Sequence, residues 1–392
     1  MGIIMKKMRE KENMKKDNII LLAGGDIILG KDPGLYFEGV KQMLSEGDMV
    51  VGQLEVPYSK YAQELLDLDR DPDNLWPLTE YFDVLTLAGN HIYDAKEQGI
   101  EDTLKWLDEH GIAHTGGGLN QAEAVKPAII EKDGVKFGFL NYNCTGPKIA
   151  NAGPAKAGCA FVDIIINFDM GNVANPGGNP EYIYTWPEPV TFDAMKSGIT
   201  ALRRECDVLC VYFHKGIVHK PIKLADYEKI VSHAAVDCGA DVVFSSHSHI
   251  LHGVEIYKGK TIYHGLNNFI AWVPSLNKNF RSTKGIKNDV FDPEEWARSR
   301  SERFGFVPDE KYPTYPFHPD SIYTVTAKCV VSAGHITQTR LIPMIVRENG
   351  VPYVVGRYEG GEIVLDYMRK ITNGAGLNAL FEWDKDEILI YA

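Results

Sequence analysis

The chain has 392 residues, of which 44% are hydrophobic and 24% are charged. These fractions are typical of globular proteins, so a disordered, collagen-like or coiled-coil architecture is excluded. The formal net charge of −12 disfavours nucleic acid and anionic membrane surfaces as partners, because the overall field repels both. We therefore expect a folded, water-soluble protein that binds no nucleic acid.

Residues 1–17 form a charged N-terminal tail without an apolar segment. A signal peptide or a membrane anchor needs such a segment, so the tail predicts a cytoplasmic protein with no membrane anchor. The six cysteines are scattered and include no CxxC pair, which is typical of buried thiols and not of a disulfide scaffold.

From residue 18 to about 270, short apolar runs alternate with helical patterns, which indicates βαβ units around a largely parallel sheet. The runs are 18–24, 48–55, 83–89, 137–142, 207–213 and 241–246. Because they are nearly continuous in apolar residues, the strands must be covered on both faces, and we expect helices on both sides of the sheet. Amphipathic patterns predict two of these helices at 97–110 and 224–238, each followed by glycine.

Two polar, proline-containing stretches, 146–196 and 272–318, interrupt this alternation. We interpret them as surface insertions, which are either functional lids and binding walls or decorative loops. After residue 321 the sequence predicts further strands, a short helix near 360–371 and a closing strand at 386–392. The expected organisation is one domain over 18–345, with a helix and strand extension at 346–392 packed on it.

Five of the apolar runs are followed at their carboxyl ends by residues able to bind a metal ion. These residues are Asp26, Glu55, Asn90, His91, His214, His247 and His249. Because ligands of open α/β sheets bind outside the carboxyl ends of the strands, the seven residues can converge in one crevice. Alternation along an extended strand would put His247 and His249 on the same face. Carboxylate, amide and imidazole groups predict one or two divalent ions of Mn, Zn, Fe or Mg.

Five segments carry a resemblance to a known family: GGDIILG (24–30), GQLEVPYS (52–59), LAGNHIYDAKEQGIEDTLKWLDEHGIAHTGGG (87–118), FHKGIVH (213–219) and GADVVFSSHSHILHGVEIYKGKTIYHGLNNFI (239–270). They resemble the CapA family of bacterial capsule or poly-γ-glutamate synthesis proteins, within the calcineurin-like metallophosphatase superfamily. The resemblance implies a four-layer αββα sandwich with inserted loops.

The resemblance also implies a role for each candidate residue. Glu55 would bridge two ions, Asp26 and His249 would bind one of them, and Asn90, His214 and His247 would bind the other. His91 would be the general acid, oriented by Asp94. Ile28 stands where many metallophosphatases have a histidine ligand, so occupancy by a single ion is the alternative.

Three functions stay open. The first is a metallohydrolase that cleaves an amide bond of γ-glutamyl type, or an ester, in an anionic small molecule or oligomer, with Lys215, His219 and His252 binding the substrate. The second is a phosphoesterase acting at the same site. The third is a non-catalytic accessory protein of polymer synthesis, which the isoleucine at position 28 favours. The sequence predicts no oligomeric state.

Overall fold

A computed structural model of the chain describes residues 18–66, 68–169, 182–279 and 292–392. The predicted tail (1–17) and the central parts of both predicted insertions (170–181 and 280–291) lie outside the described residues. Within the described ranges the α-helices are α1 (Lys41–Glu46), α2 (Lys60–Leu66), α3 (Leu78–Tyr81), α4 (Lys96–Glu109), α5 (Gln121–Ala124), α6 (Pro189–Leu202), α7 (Asp226–Asp237), α8 (Pro293–Phe304) and α9 (Gly361–Gly374).

The strands are β1 (Ile19–Ile28), β2 (Met49–Leu54), β3 (Val84–Thr86), β4 (Ala113–Thr115), β5 (Gly117–Gly118), β6 (Ala128–Lys132), β7 (Val135–Asn143), β8 (Gly158–Cys159), β9 (Ile164–Asp169), β10 (Tyr182–Pro187), β11 (Val208–Lys215), β12 (Val242–His247), β13 (Val254–Tyr257), β14 (Lys260–Tyr263), β15 (Asn268–Ala271), β16 (Tyr323–Ser332), β17 (His335–Val346), β18 (Pro352–Val354), β19 (Leu380–Asp384) and β20 (Glu387–Tyr391). The short pairs β5–β8 and β9–β10 stand apart from the large sheets.

Two large sheets contain most of these strands. The first has the order β19-β20-β17-β16-β1-β2-β3-β4, with β15 also paired to β1 and β18 to β17. The second has the order β13-β14-β12-β11-β7-β6. The six apolar runs predicted as strands divide equally, with β1, β2 and β3 in the first sheet and β7, β11 and β12 in the second. Within each sheet these strands are parallel.

The two sheets pack face to face, and each carries helices on its outer face. Leu21 and Val51 of the first sheet share one buried cluster with Phe139 and Phe244 of the second. Helices α1 and α4 cover the outer face of the first sheet, and α6 and α7 cover that of the second. The αββα architecture implied by the resemblance is therefore confirmed.

This layering corrects the expectation of helices on both sides of one sheet. Each sheet has helices on one face and the other sheet on its second face. A continuously apolar strand sequence indicates that both faces are buried, but it does not indicate whether a helix or another sheet covers each face.

Both predicted crossover helices are present. Helix α4 begins and ends within a residue of the predicted bounds, and Gly111 after it has a φ of +65°. Helix α7 buries Tyr227, Val231 and Ala235, whereas Ile230 is 38% exposed. Both elements are therefore amphipathic helices, as the sequence predicts.

The C-terminal residues extend the first sheet. Strand β20 pairs antiparallel with β17, and α9 buries Val364, Met368 and Ile371 in the cluster between the sheets. Each such side chain stabilises the fold by roughly 1.5–3 kcal/mol relative to its exposed state. Among the described residues, no helix combines the length and the apolar composition needed to cross a membrane.

Candidate metal centre

Asp26 lies where the carboxyl ends of β1 and β12 meet, so it joins the two sheets. Ser246 Oγ donates to Asp26 Oδ1 at 2.6 Å, and the His247 backbone N–H donates to Asp26 Oδ2 at 2.9 Å. The backbone approaches closely here, because a Cβ at Gly25 would lie 1.9 Å from the Asn267 carbonyl oxygen. Glycine at position 25 therefore allows the chain to hold the Asp26 carboxylate in this position.

Glu55, His214 and His247 form the first of two groups that could hold a metal ion. His214 Nε2 lies 2.7 Å from Asn90 Oδ1, 3.1 Å from His247 Nδ1 and 3.9 Å from Glu55 Oε1. The ligand atoms of Glu55, His214 and His247 lie within 4.8 Å of one another, and Asn90 Oδ1 lies beside His214 Nε2. Donors bonded to an ion at about 2.1 Å lie roughly 3–3.4 Å from one another, so this spacing fits a divalent ion.

Asp26, Glu55 and His249 form the second group, and Glu55 belongs to both. His249 Nε2 is 3.5 Å from Glu55 Oε1, and His249 Nδ1 is 3.9 Å from Asp26 Oδ2. Ile28 is buried in the apolar core and offers no ligand atom. The second group is therefore the poorer in donors, as the sequence predicts.

The buried polar atoms of Glu55 indicate that this site is built for a cation. Glu55 is 1% exposed, and neither of its side-chain oxygens has a hydrogen-bond partner in the described part of the chain. A buried carboxylate without partners costs several kcal/mol, whereas a coordinated cation satisfies it. The residues present therefore fit one or two divalent ions.

The electrostatics of the cluster agree with this interpretation. Burial, followed by the charge of Glu55, raises the pKa of Asp26 to about 8, and burial raises the pKa of Glu55 to about 7. Burial also lowers the pKa of His214 and His247 well below the usual value. Both imidazoles are thus neutral, which is the form that coordinates metals.

The two histidines of the HxH segment converge for a reason other than the predicted one. Strand β12 ends at His247, and the φ angles of His247 and His249 are +104° and +51°. A left-handed turn, and not strand alternation, brings the rings to a centroid separation of 6.1 Å. Positive φ at a residue with a side chain is uncommon and is concentrated at functional sites.

Residues His91 and Asp94 lie at the open edge of the cluster. His91 Nδ1 is 2.7 Å from Asp94 Oδ2, and the His91 side chain is 41% exposed. Burial lowers the pKa of His91, but the hydrogen bond and charge of Asp94, with the charge of Glu55, outweigh it and raise the pKa to about 9. His91 is thus placed to meet a ligand that enters from solvent.

The expected substrate contact of Lys215 is wrong. Its Nζ is fully buried, 3.2 Å from Glu228 Oε2 and 3.1 Å from His264 Nδ1. His264 also contacts the Glu255 carboxylate, which in turn contacts His233. We call these five residues the paired network. The ammonium of Lys215 therefore contacts protein side chains and does not face a substrate.

The other two expected substrate contacts are also buried. His252 is 1% exposed, its Nε2 lies 2.9 Å from the Lys220 carbonyl oxygen, and its Nδ1 lies 4.0 Å from Glu228. It therefore connects a loop to the paired network, and its position does not support the expected contact with a substrate. His219 is 3% exposed, and its ring centroid is 6.1 Å from that of His249. Only His219 therefore borders the metal centre.

The second predicted insertion supplies a wall to this region. Phe304 and Phe306 pack edge-on against His219, and Phe317 packs on His249 with ring centroids 4.9 Å apart. Sequence reasoning missed these aromatic residues. It also missed Asn268, whose Oδ1 lies 2.8 Å from His249 Nδ1, although a polar Asn pair before an apolar strand was a visible signal.

Two packed sheets that meet at a cluster of candidate metal ligands define a four-layer α/β protein with a candidate centre for one or two divalent ions. A family model described as bacterial capsule synthesis protein PGA_cap matches residues 4–272, and the chain belongs to this family. The CapA resemblance noted from the motifs is thereby confirmed.

Two relatives carry the CapA name. The PGA biosynthesis protein CapA of Bacillus subtilis is 26% identical over 261 residues, which cover 63% of this chain and 61% of that protein. The capsule biosynthesis protein CapA of Bacillus anthracis is 24% identical over 284 residues, which cover 67% of this chain and 61% of that protein. The chain thus spans less than two thirds of the length of either relative.

One solved structure is also similar. The calcineurin-like phosphoesterase YfkN from Bacillus subtilis aligns over 92% of this chain and 98% of that chain, with a TM-score of 0.39 and 12% identity. Because this TM-score is low, the fold is assigned from the order and the packing of the two large sheets.

Proposed function

We propose that the chain is a metal-dependent hydrolase whose centre comprises Asp26, Glu55, Asn90, His214, His247 and His249. The observation that carries the proposal is Glu55, a buried carboxylate shared by two ligand groups and left without a hydrogen-bond partner in the described residues. Divalent ions bound there would supply Lewis acidity and a water of lowered pKa.

The protein's own groups have separable tasks in this proposal. Ser246 and the His247 N–H hold the Asp26 carboxylate, and Asn268 orients the His249 ring. His91 at the open edge donates a proton to the leaving group, and Asp94 fixes its ring. The phenylalanines around His219 exclude water from one side of the centre.

We propose an anionic substrate with an amide bond of γ-glutamyl type or an ester bond. The name of the Bacillus subtilis relative, PGA biosynthesis protein CapA, supports this class, and a phosphoester is the alternative at the same centre. A non-catalytic role in polymer synthesis is favoured by one observation, the apolar Ile28 beside the poorer ligand group.

The test is turnover by protein dialysed against Mn²⁺ or Zn²⁺, with a γ-glutamyl anilide, an aryl phosphomonoester and an aryl phosphodiester as substrates. We expect His91→Ala to lower kcat by about 10²- to 10⁴-fold, with metal content unchanged. His335→Ala is the matched control, because His335 is exposed on β17. Metal-loaded wild type without turnover of any substrate would favour the accessory role.

A further inference from the structure

Arg70 is a buried cation that has no carboxylate partner among the described residues. It is 5% exposed, and Nη1 donates to the Asp69 carbonyl oxygen at 3.1 Å. Its Cζ atom lies 5.8 Å from the centroid of the Tyr58 ring. Across the described ranges of the chain, no carboxylate lies within salt-bridge distance of its guanidinium. Buried arginines are usually paired, so this one is unusual.

Tyr58 places this arginine beside the metal centre. The Tyr58 hydroxyl accepts from the Leu29 N–H at 2.6 Å and donates to the Leu29 carbonyl at 2.7 Å. Leu29 follows Asp26 by three residues, and Tyr58 follows Glu55 by three. The fully buried Tyr58 ring therefore spans the segments that leave β1 and β2 at their carboxyl ends, and Arg70 lies over it.

The charge of Arg70 acts on two residues of the site. Burial raises the pKa of Glu55, and the guanidinium of Arg70 lowers it. Burial and the charge of Arg70 both oppose the rise in the pKa of His91 that Asp94 and Glu55 cause. These interactions agree with the position that the Tyr58 ring gives to Arg70.

We propose that Arg70 binds an oxyanion of the substrate, a carboxylate or a phosphoryl group, beside the metal centre. The inference rests on the proposed function and deepens it, because it names the cation that an anionic substrate meets. Lys215 does not serve this purpose, since Glu228 and His264 occupy its ammonium. Arginine presents a planar fork of donors that matches an oxyanion. Within the described part of the chain, this fork makes one hydrogen bond, to the Asp69 carbonyl oxygen, so most of its donors have no protein partner there.

A purely structural role for Arg70 makes a different prediction. Packing of the guanidinium over Tyr58 would contribute to stability alone, and its loss would lower the Tm without changing the affinity for anions. A lysine at position 70 would then be nearly equivalent. An anion-binding role instead requires the fork, so lysine would replace it only in part.

The test is calorimetric titration of the metal-loaded full chain with two probes, glutarate and inorganic phosphate. We expect Arg70→Gln to weaken binding of at least one probe by about 10- to 100-fold, and Arg70→Lys to weaken it less. The glutarate arm identifies a carboxylate ligand and the phosphate arm a phosphoryl ligand. Arg204→Gln is the matched control, because Arg204 is exposed at the end of α6, on the outer face of the second sheet.

Two results would overturn the proposal: equal affinity of wild type and folded Arg70→Gln for both probes, or no binding of either probe to wild type at millimolar concentration. Elemental analysis of each variant separates this failure from that of the proposed function. The proposed function fails when the wild type binds no metal, whereas the Arg70 proposal fails in protein that is fully loaded.

Discussion

His214 and Lys215 are neighbours on β11, and both are fully buried, yet they enter two different environments. Successive side chains of a strand point to opposite faces. His214 points into the metal centre, where Glu55 lacks a hydrogen-bond partner within the described chain. Lys215 points into the paired network, where its ammonium contacts Glu228 and His264. Burial of an ionisable group therefore does not by itself mark a functional site. The metal centre differs from the paired network in that several ligand atoms converge around a carboxylate without hydrogen-bond partners in the described chain.

Glu55→Gln tests the metal-centre side of this comparison, and it has the largest expected effect. The substitution removes the one carboxylate shared by both ligand groups, so we expect metal content to fall to near zero by elemental analysis. In chelated protein the same substitution replaces a buried carboxyl that has no hydrogen-bond partner in the described chain, and we expect the free energy of unfolding to rise by about 1–3 kcal/mol in urea. A loss of stability in chelated protein would contradict the claim that Glu55 is unsatisfied.

Lys215→Met tests the other side of the comparison. The substitution leaves Glu228 buried without its cation, so we expect a loss of about 3–5 kcal/mol of stability in urea unfolding. Metal content of the folded protein should stay unchanged. The double variant Lys215→Met with Glu228→Gln should recover part of the loss, and no recovery would show that the pair is not the cause.

Asn268→Ala removes a hydrogen bond that orients His249 and spares every ligand. Loss of a hydrogen-bond partner of a metal ligand typically weakens metal affinity by about 10- to 100-fold, and we expect that weakening for one of two ions in a metal titration. Asn378→Ala is the control, because Asn378 bonds only the backbone of Ile256 among the described contacts. Equal affinities of the two variants would argue against the second ligand group.

The paired network predicts a smaller effect at acid pH. Burial raises the pKa of Glu255, but hydrogen bonds from His264 and His233 outweigh it and lower the pKa to about 2. A depressed carboxyl pKa stabilises the fold above the ordinary value near 4.5, and this contribution is lost as the pH falls towards 2. Between pH 5 and pH 3 we expect wild type to lose about 1–2 kcal/mol more than Glu255→Gln in urea unfolding. Equal losses of stability in the two proteins would contradict the assignment of Glu255 as a carboxylate stabilised by His264 and His233.

The sequence predicted the strands and the convergence of the candidate ligands for a physical reason. Near-continuous apolar runs identify buried strands, and the carboxyl ends of parallel strands meet at one edge, so Asp26, Glu55 and His214 could be grouped without a structure. The pairing of the two sheets came only from the motif resemblance, because an apolar face does not identify what covers it.

The misplaced predictions concern side chains whose partners are distant in sequence. Lys215 resembles a substrate contact until Glu228 and His264 are seen to surround it. Arg70 lies in a polar loop with no motif, and its burial over Tyr58 depends on the fold of two strands. No local pattern indicates such contacts, so the sequence predicted a substrate contact for Lys215 and no role for Arg70.

The most direct test of the metal centre is elemental analysis of protein dialysed against excess Mn²⁺ or Zn²⁺ and then freed of unbound metal. We predict one or two ions per chain in wild type, a clear loss in His247→Ala, and no loss in His233→Ala, whose histidine belongs to the paired network. Wild type without bound metal, or equal loss in both histidine variants, would contradict the assignment of Asp26, Glu55, His214, His247 and His249 as a metal centre.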